Sequence, residues 1–448
     1  MTEQPQMPAG KKRTRTRLWA KIAGLAIIAL ILLAFLACGL LMLWGSHRIR
    51  REIQAIKALN EPTNWDELLL TDRSGHVVLA ADDPAEKEAA SLYARALSLS
   101  KGWNKELPQE FFTKLSKEAL SPEEVQRLGE ALSHYQEALD LLRKASTYDG
   151  IINLPEATIE PEQQQIDETT AVREAARLLS AQAIHRAIQG RGDEAADACI
   201  VLLRYARAFP GYNEMTGLVH FAVVGIACRT IDQTQKIAPS SAEGLNRIMA
   251  ELGQSVDDEP LTRIFCGERV CGNYLFHSER VKMPRFFLWP NHAAYLELMR
   301  EAVAASREPF PASLRMGKEI RASHAEIVGP RCTFHIFAAM NSSIIDVLLG
   351  NGAEYQTRVR ATLASLAIRR ARLDGLPLPV SLQELVPKYL PAIPTDPVTG
   401  GPLKYRVDES GCSIYGVGHD GVDNGGAIRA VTGSSGRPEE DIVVRLPR

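Results

Sequence analysis

The chain has 448 residues, of which 45% are hydrophobic and 24% charged, and its formal net charge is -2 at pH 7. This length and apolar content support a folded protein with a sizeable core and two or three domains, and they exclude a disordered stalk. The balanced charge gives no electrostatic reason to expect nucleic-acid binding.

The first element along the chain is an apolar run, residues 22–44, that contains no charged residue. A helix of this length can cross a hydrocarbon core of about 30 Å. The basic residues within 11–21 outnumber those that follow the run, which favours a cytoplasmic N terminus and places everything after residue 45 outside. The sequence therefore predicts a basic cytoplasmic tail at 1–21 and a single-pass signal anchor at 22–44, embedded in the lipid of the cytoplasmic membrane.

Two processing alternatives stay open for this apolar run. Residues 35–38 resemble a lipoprotein cleavage site at Cys38, but the apolar run continues through 39–44, where a mature lipoprotein normally becomes polar. Cleavage as an ordinary signal peptide is the second alternative, although the run is long for one. An uncleaved anchor fits the pattern best.

Residues 45–335 predict an extracytoplasmic domain that consists of helices. Apolar residues recur there at three- and four-residue intervals, and Pro, Gly, Ser or Asp separate the periodic segments. The predicted helices are 84–100, 121–146, 168–189, 193–208, 213–235, 241–252, 291–306 and 311–325. An aromatic, proline-containing segment, 284–290, is expected to interrupt them. A further core helix, 336–349, is predicted to follow this domain. The predicted architecture is an irregular array of helical hairpins.

One hairpin of this array, residues 174–209, has small residues at regular positions. Ala183, Gly190 and Ala195 stand where a tetratricopeptide repeat has small residues and its turn, although the large aromatic residues of that repeat are missing. The segment weakly resembles a tetratricopeptide unit. No regular 34-residue period of this kind continues along the chain.

The cysteines leave the redox compartment undecided. Cys266 and Cys271 are the one close pair, and they could close a small disulfide loop in an oxidising compartment. Their spacing suits neither a zinc knuckle nor a thioredoxin motif. Cys199 and Cys228 lie on helical patterns and are predicted to be buried free thiols.

The most informative stretch of the chain is 381–426, which predicts a short helix followed by a hairpin and a loop. Ser381, with Glu384 three residues later, matches a capping box before a helix that Pro387 must end. Turn residues follow, and the predicted strands alternate apolar and polar side chains. These strands are 403–407 and 413–417, and a β-like run at 442–446 follows later in the chain. The loop after the second strand is acidic and rich in glycine.

The order of these elements, with LVPKYLP, PTDP, a Tyr-bearing strand and a V-G-x-D-G loop, resembles the C-terminal core of the major pseudopilin of type II secretion systems, over about residues 355–446. Leu378-Pro379 replaces the Tyr-Pro of that family, and the pilin-type N-terminal cleavage motif is absent. The resemblance implies a small α+β module at 336–448 and does not imply assembly into a pilus. The whole chain also resembles envelope proteins that form large families in bacteria. The predicted fold class is thus mainly α, with one transmembrane helix, a helical hairpin array and this α+β module.

The pseudopilin resemblance implies a calcium site in the acidic loop. Calcium binds several hard oxygens, usually carboxylates and backbone carbonyls from a flexible loop. The implied ligands are the carbonyl of Val417 and the side chains of Asp420, Asp423, Asn424, Glu440 and Asp441. An EF-hand does not fit, because its twelfth position would be Val431. The alternative is a metal-free turn in which Asp and Asn cap the backbone and glycines adopt positive φ.

Familiar catalytic motifs are missing from the sequence. No Gly-x-Ser-x-Gly elbow, P-loop, dinucleotide fingerprint or His-Glu-x-x-His pair occurs. The apolar segment 217–228 predicts a buried helix in which His220 is a satisfied core residue. The favoured hypothesis is a membrane-anchored structural or protein-interaction module, whose protein partner contacts an apolar surface around Phe286, Phe287 and Trp289.

The alternative function is an envelope hydrolase with its site in the helical domain. It requires several ionisable residues to meet in one concave pocket with shifted pKa values. The residues in question are His220, His277, His292, Glu297 and His335. No catalytic or cofactor-binding role follows for any of them from the sequence.

Overall fold

The computed structural model describes most of the chain, with gaps at several connections and at the C-terminal loop. The described residues are 10–72, 74–77, 84–107, 111, 120–148, 150–151, 162–257, 260–325, 332–418, 421–426 and 441–447. This part of the chain is mainly helical and contains one small three-stranded sheet. The prediction of a mainly α protein with a small sheet is therefore confirmed.

The described helices are numbered here in chain order. They are α1 (Gly10–Ala58), α2 (Trp65–Leu69), α3 (Pro84–Ser100), α4 (Trp103–Glu106), α5 (Pro122–His134), α6 (Gln136–Ala145), α7 (Glu162–Ile188), α8 (Gly192–Ala208), α9 (Glu214–Ile237), α10 (Ala242–Asp257), α11 (Leu261–His277), α12 (Arg285–Ser306), α13 (Ala312–Ala325) and α14 (Ile336–Leu373). The strands are β1 (Lys404–Asp408), β2 (Gly411–Gly416) and β3 (Ile442–Pro447).

Helix α1 contains the predicted apolar run and continues well beyond it. By length and composition, three helices of the described chain could cross a membrane: Leu18–Ala58, Glu214–Ile237 and Ile336–Leu373. The most apolar window is 0% buried in the first, against 56% and 44% in the other two, which are packed inside the helical domain. α1 is therefore the candidate span that leaves its apolar side chains uncovered.

The last turns of α1 pack against α12, so the apolar run and the helical domain are joined without a linker. Gly45 lies against Pro290, where an added Cβ would stand 2.9 Å from the proline nitrogen. Further along both helices, Arg300 donates to Glu52 over 2.8 Å. The contacts advance in the same direction along both helices, so the two helices are parallel. The N-terminal end of α12 therefore lies beside the end of the apolar run.

The predicted interruption at 284–290 is wrong, because α12 begins at Arg285 and includes Pro290. A proline in the first turns of a helix removes few backbone hydrogen bonds. The absence of a side chain at Gly45 leaves room for its ring. The aromatic segment is thus the first part of a helix and not a break.

Several predicted helices are confirmed, with shifted ends. α3 spans the predicted 84–100. The predicted helix 121–146 divides at Tyr135 into α5 and α6, and Ser121 forms a complete capping box with Glu124 at the start of α5. The ring of Tyr135 packs edge-on against Trp103 at 5.2 Å, so tertiary packing accounts for the position of the break.

The cysteine pair lies on a helix that the sequence did not reveal, α11. Cys266 and Cys271 are both free thiols, so the disulfide alternative is wrong. Five residues along an α-helix turn the side-chain direction by about 140°, which prevents a bond between them. Cys199 and Cys228 are buried free thiols, as predicted.

A buried ion cluster fastens the chain after α1 to α11. The guanidinium of Arg269 donates to Glu61 over 2.6 Å and to the carbonyl of Pro62 over 3.1 Å. Arg307, at the end of α12, lies 2.6 Å from the second oxygen of Glu61. Because this carboxylate is buried, the two arginines offset the cost of removing it from water.

The strands β1, β2 and β3 form an antiparallel sheet in that order, which packs on the last turns of α14. Tyr405 pairs with Ile414, and Ile414 pairs with Val444. The inner face of the sheet and the alanine-rich face of α14 form a second core, separate from the large core of the helical domain. β1 pairs with a strand on one side only in the described chain, so it is an edge strand.

The predicted capping box at Ser381 is wrong. Residues Leu382–Leu385 form a single 3₁₀ turn, and the Ser381 side chain makes no cap hydrogen bond. Glu384 instead accepts from the N–H of Val380 over 3.2 Å. The chain leaves the helical conformation at Val386, directly before Pro387, so no α-helical turn forms that such a box could cap.

Candidate functional site

The predicted calcium loop leaves the sheet at Val417 and is held at its start by Asp396, which belongs to the PTDP segment before β1 and is not among the predicted ligands. Asp396 is fully buried, and it accepts the N–H groups of Val398 and Val417 over 2.8 and 3.0 Å. The carboxylate thereby joins the turn before β1 to the end of β2. Its two oxygens are used by the backbone, so its role is to position the loop.

The other end of the loop is held by Asp441, which directly precedes β3. This side chain is only 5% exposed, and one oxygen accepts the N–H of Gly426 over 2.7 Å. Its second oxygen, Oδ1, has no hydrogen-bond partner among the described residues. A buried carboxylate oxygen without a donor is costly unless a donor or a cation fills the position.

Tyr415 brings the two described acidic residues of the loop into one neighbourhood. Burial first, and then the charges of Asp423 and Asp441, raise the pKa of Tyr415. Asp423 also accepts the N–H of Gly425 over 2.9 Å, and its other oxygen lies 3.7 Å from the Lys404 ammonium. Both carboxylates therefore act electrostatically on the phenol of Tyr415.

The remaining predicted ligands are less informative. Asn424 is exposed, and its side-chain amide donates to the carbonyl of Val422 over 3.3 Å. Asp420 and Glu440 lie outside the described residues. Within the described part of the chain, no three His, Cys, Asp or Glu side chains are grouped in a way that could hold a metal ion.

Glycines give the loop its shape. Gly421, Gly425 and Gly426 have φ values of 73°, 69° and 73°, a region that other residues enter at a cost. At Gly426, an added Cβ would also stand 3.2 Å from the ring of Tyr415. Glycine at position 426 thus lets the loop backbone pass close to the Tyr415 ring, near Asp423 and Asp441.

The histidines of the hydrolase hypothesis occupy separate places. His220 is buried and donates from Nδ1 towards the carbonyls of Ala206 and Phe209, each 3.1 Å away, which fits its predicted core role. Glu297 forms an ion pair with Arg48 of α1. His220 is therefore held inside the core, and Glu297 is held in a contact between α12 and α1.

His277 and His292 do lie side by side, with ring centroids 5.1 Å apart. His292 is buried, stacks on Phe276 at 4.6 Å and shares a 2.8 Å hydrogen bond with the side chain of Asn273. Burial, helped by the charge of His277, lowers the pKa of His292 to about 3. His292 is therefore neutral at physiological pH. His335, the last of the five residues in the hydrolase hypothesis, directly precedes α14. Its carbonyl accepts the N–H of Ala339 over 2.8 Å.

An exposed apolar segment, 373–380, connects α14 to the rest of the α+β module. Leu373, Leu376 and Val380 are 51%, 46% and 82% exposed. The phenol of Tyr405 on β1 donates to the carbonyl of Pro379 over 2.8 Å, so this segment lies beside the edge strand. It offers an apolar surface next to a sheet edge.

Ordered contacts hold this segment in place. Asp374 accepts from the phenol of Tyr389 over 2.7 Å and from the ammonium of Lys388 over 3.0 Å. Hydrogen bonds from Arg370, Tyr389 and Lys388 hold the pKa of Asp374 below its usual range. The exposed side chains are therefore presented by a well-connected turn.

No protein-family model matches the chain, and no match is found among the curated proteins or the solved structures.

Proposed function

We propose that this protein is a membrane-anchored, extracytoplasmic interaction module. In this proposal α1 crosses the cytoplasmic membrane with its N terminus in the cytoplasm, and the pseudopilin-like α+β module binds a protein partner. The observation that carries the proposal is the exposed apolar segment 373–380 beside the edge of β1. Exposed apolar surface next to the free edge of a sheet is a common feature of protein-binding sites.

The arrangement of α14 supports a head that acts at a distance from the membrane. Phe337, at the start of α14, packs against Phe276 with ring centroids 5.1 Å apart. Phe276 in turn contacts Tyr295 of α12, the helix whose N-terminal end lies beside the apolar run. α14 has 38 residues, a length of roughly 57 Å at the usual rise per residue. The partner-binding segment follows directly at its far end.

The charge pattern near the membrane supports the proposed orientation. The cytoplasmic side carries the denser basic cluster, at 11–21. Beyond the apolar run, Arg48 is neutralised by its ion pair with Glu297. This pairing weakens the positive charge on the side that is proposed to face outward.

Calcium binding by the loop after β2 is part of the proposal. Asp441 supplies a buried oxygen without a donor in the described chain, and Asp423 lies in the same neighbourhood across Tyr415. Oxygen ligands of this kind suit calcium. A bound ion would stiffen the loop that follows β2 and thereby the sheet whose edge is offered to the partner.

The hydrolase alternative has less support. Glu297 and His220 are engaged in packing contacts away from the neighbouring His277 and His292. A neutral, buried His292 has no acidic or nucleophilic partner within its described contacts. The interaction module therefore remains the function that the geometry supports best.

The experiment is the size of the complex that the full chain forms after gentle detergent extraction from its own membrane. We expect the wild type to run in an assembly larger than the 49.3 kDa chain in its micelle. A Leu376→Glu, Val380→Glu variant should run as a single copy. Ile166→Glu is the matched control, since Ile166 is 46% exposed on α7, and it should leave the assembly intact. A wild type that runs as a single copy, or a double variant in an unchanged assembly, would contradict the proposal.

A further inference from the structure

A cavity of about 500 Å³ lies at the base of the helical domain, where α1 meets the N-terminal end of α12. Two arginines line it, Arg50 from α1 and Arg285 from α12, together with one carboxylate, Glu279. The apolar part of the wall includes Met283 and Trp289. The cavity thus combines cationic and apolar groups.

The position of this cavity relative to the end of the apolar run follows from the residues at which α1 and α12 contact each other. Arg50 stands six residues beyond Trp44, the end of the apolar run, or about 9 Å along the helix axis. Arg285 stands five residues before Pro290, which contacts Gly45, and therefore about 8 Å back towards the apolar run. The headgroup layer of a bilayer is roughly 5–8 Å thick on each side of the hydrocarbon core. If α1 crosses the membrane, Arg50 therefore stands at the outer edge of that layer and Arg285 beside the last turns of the apolar run, so the cavity extends across the layer between them.

The chemistry of the cavity suits a phosphate that carries apolar substituents. Neither Arg50 nor Arg285 has a carboxylate within 4 Å in the described chain, and guanidinium groups bind phosphate through paired hydrogen bonds. The guanidinium of Arg285 lies 5.6 Å from the centroid of the Trp289 ring, which fixes its position. Met283 is 43% exposed and offers apolar contact at the mouth.

The electrostatic balance of the cavity is positive. Its two arginines outweigh Glu279, and the exposed residues Arg280 and Lys282 add positive charge in the loop that forms one wall. Trp289 lines the cavity, and tryptophan favours the interface between headgroups and hydrocarbon. An anionic amphiphile is thus favoured over a neutral or a fully water-soluble ligand.

We infer that this cavity binds the phosphate headgroup of an anionic phospholipid from the leaflet that faces the helical domain. Arg50 and Arg285 bind the phosphate, and Met283 and Trp289 contact the glycerol and the first acyl carbons. The inference rests on the proposed membrane anchoring by α1. Lipid binding here would fix the rotation and tilt of the helical domain on the bilayer surface, since the cavity lies at the junction of α1 and α12.

The test uses the full chain reconstituted in vesicles of phosphatidylcholine with phosphatidylglycerol, extracted gently and analysed by native mass spectrometry. We expect the wild type to retain phosphatidylglycerol in preference to phosphatidylcholine. The Arg50→Gln, Arg285→Gln variant should lose at least about tenfold of that preference, because two charged hydrogen-bond donors are removed. The matched control Arg51→Gln, Arg127→Gln removes the same charge from exposed residues that do not line the cavity and should retain the preference.

Two further arms complete the test. An Arg50→Lys, Arg285→Lys variant keeps the charge and should retain a weaker preference, which separates lipid binding from loss of folding. Displacement of the lipid by inorganic phosphate would overturn the assignment to a lipid, as would equal retention by the glutamine variant and its control. If α1 does not span the membrane, none of the proteins will insert into the vesicles. If the lipid inference alone is wrong, all of them will insert and none will prefer phosphatidylglycerol.

Discussion

Replacement of Glu61 by glutamine is expected to destabilise the protein more than any surface change of the same chemistry. Glu61 is 0% exposed and Arg269 is 1% exposed, with 2.6 Å between the paired atoms. The substitution removes the negative charge and leaves the buried guanidinium of Arg269 without a counter-ion. Loss of one partner of a buried pair costs about 3–5 kcal/mol. The lower end applies here, because the glutamine oxygen still accepts a hydrogen bond.

The assay is urea unfolding of the full chain in detergent, followed by circular dichroism, with the difference in free energy taken from the transition midpoints. Glu137→Gln is the matched control, since Glu137 pairs with Arg95 on the exposed surface, and it should cost less than about 1 kcal/mol. A Glu61→Leu, Arg269→Met variant should lose less stability than Glu61→Gln, because it removes both fully buried charges and leaves only the partly exposed Arg307 without its partner. Equal effects of Glu61→Gln and Glu137→Gln would refute the reasoning.

Three other predictions concern the loop, one thiol and one histidine. Calcium should raise the unfolding free energy by about 2.7 kcal/mol at a hundredfold excess over Kd, and Asp420→Ala should abolish this gain in thermal unfolding measured with calcium or chelator. Cys266 should react with a maleimide only after unfolding, because its thiol is buried and burial raises its pKa to about 11. Burial lowers the pKa of His292 to about 3, so its stabilising contribution is present above pH 6.5 and is lost as the pH falls from 6.5 towards 3. A His292→Gln variant should therefore lose less stability than the wild type over that range.

Each of these predictions has its own contrary outcome. Asp408→Ala, at the exposed end of β1, is the control for calcium and should leave the gain unchanged. Rapid labelling of Cys266 in the folded chain would contradict its burial. Parallel pH curves for the wild type and the His292→Gln variant would contradict the lowered pKa.

The sequence predicted the parts of the fold in which local pattern and tertiary structure agree. The helix at 84–100, the capped start of α5 and the buried helix with His220 have clear periodicity and end signals, and the structure contains them. The three strands also lie within a residue or two of their predicted positions. In these places side-chain spacing alone identifies the buried face.

Other elements depend on contacts that are distant in sequence. α11 contains Gly267 and Gly272, which lower its intrinsic helix propensity, yet both permit close approach to residues outside the helix, Tyr212 and Tyr295. α12 could not be recognised at its start because the room for Pro290 is provided by Gly45, more than two hundred residues earlier. Tertiary packing overrides local propensity in both helices.

The residues of the candidate site also differ in whether local sequence or distant contacts determine their positions. The pseudopilin resemblance implied Val417, Asp423 and Asp441 as ligands, and their role stays a prediction. Asp396 was not singled out, because its burial follows from the docking of one turn onto another strand. The cavity at the base of α12 has no sequence signature, since its walls come from segments more than two hundred residues apart.

Photo-crosslinking from position 380 in intact cells tests the proposed function most directly. A photoreactive residue at Val380 should give one discrete crosslinked product, and Leu376→Glu in the same chain should abolish it. The same photoreactive residue at Ile166 should give none. Absence of a product from position 380, or identical products from both positions, would contradict the account of segment 373–380 as the partner-binding surface.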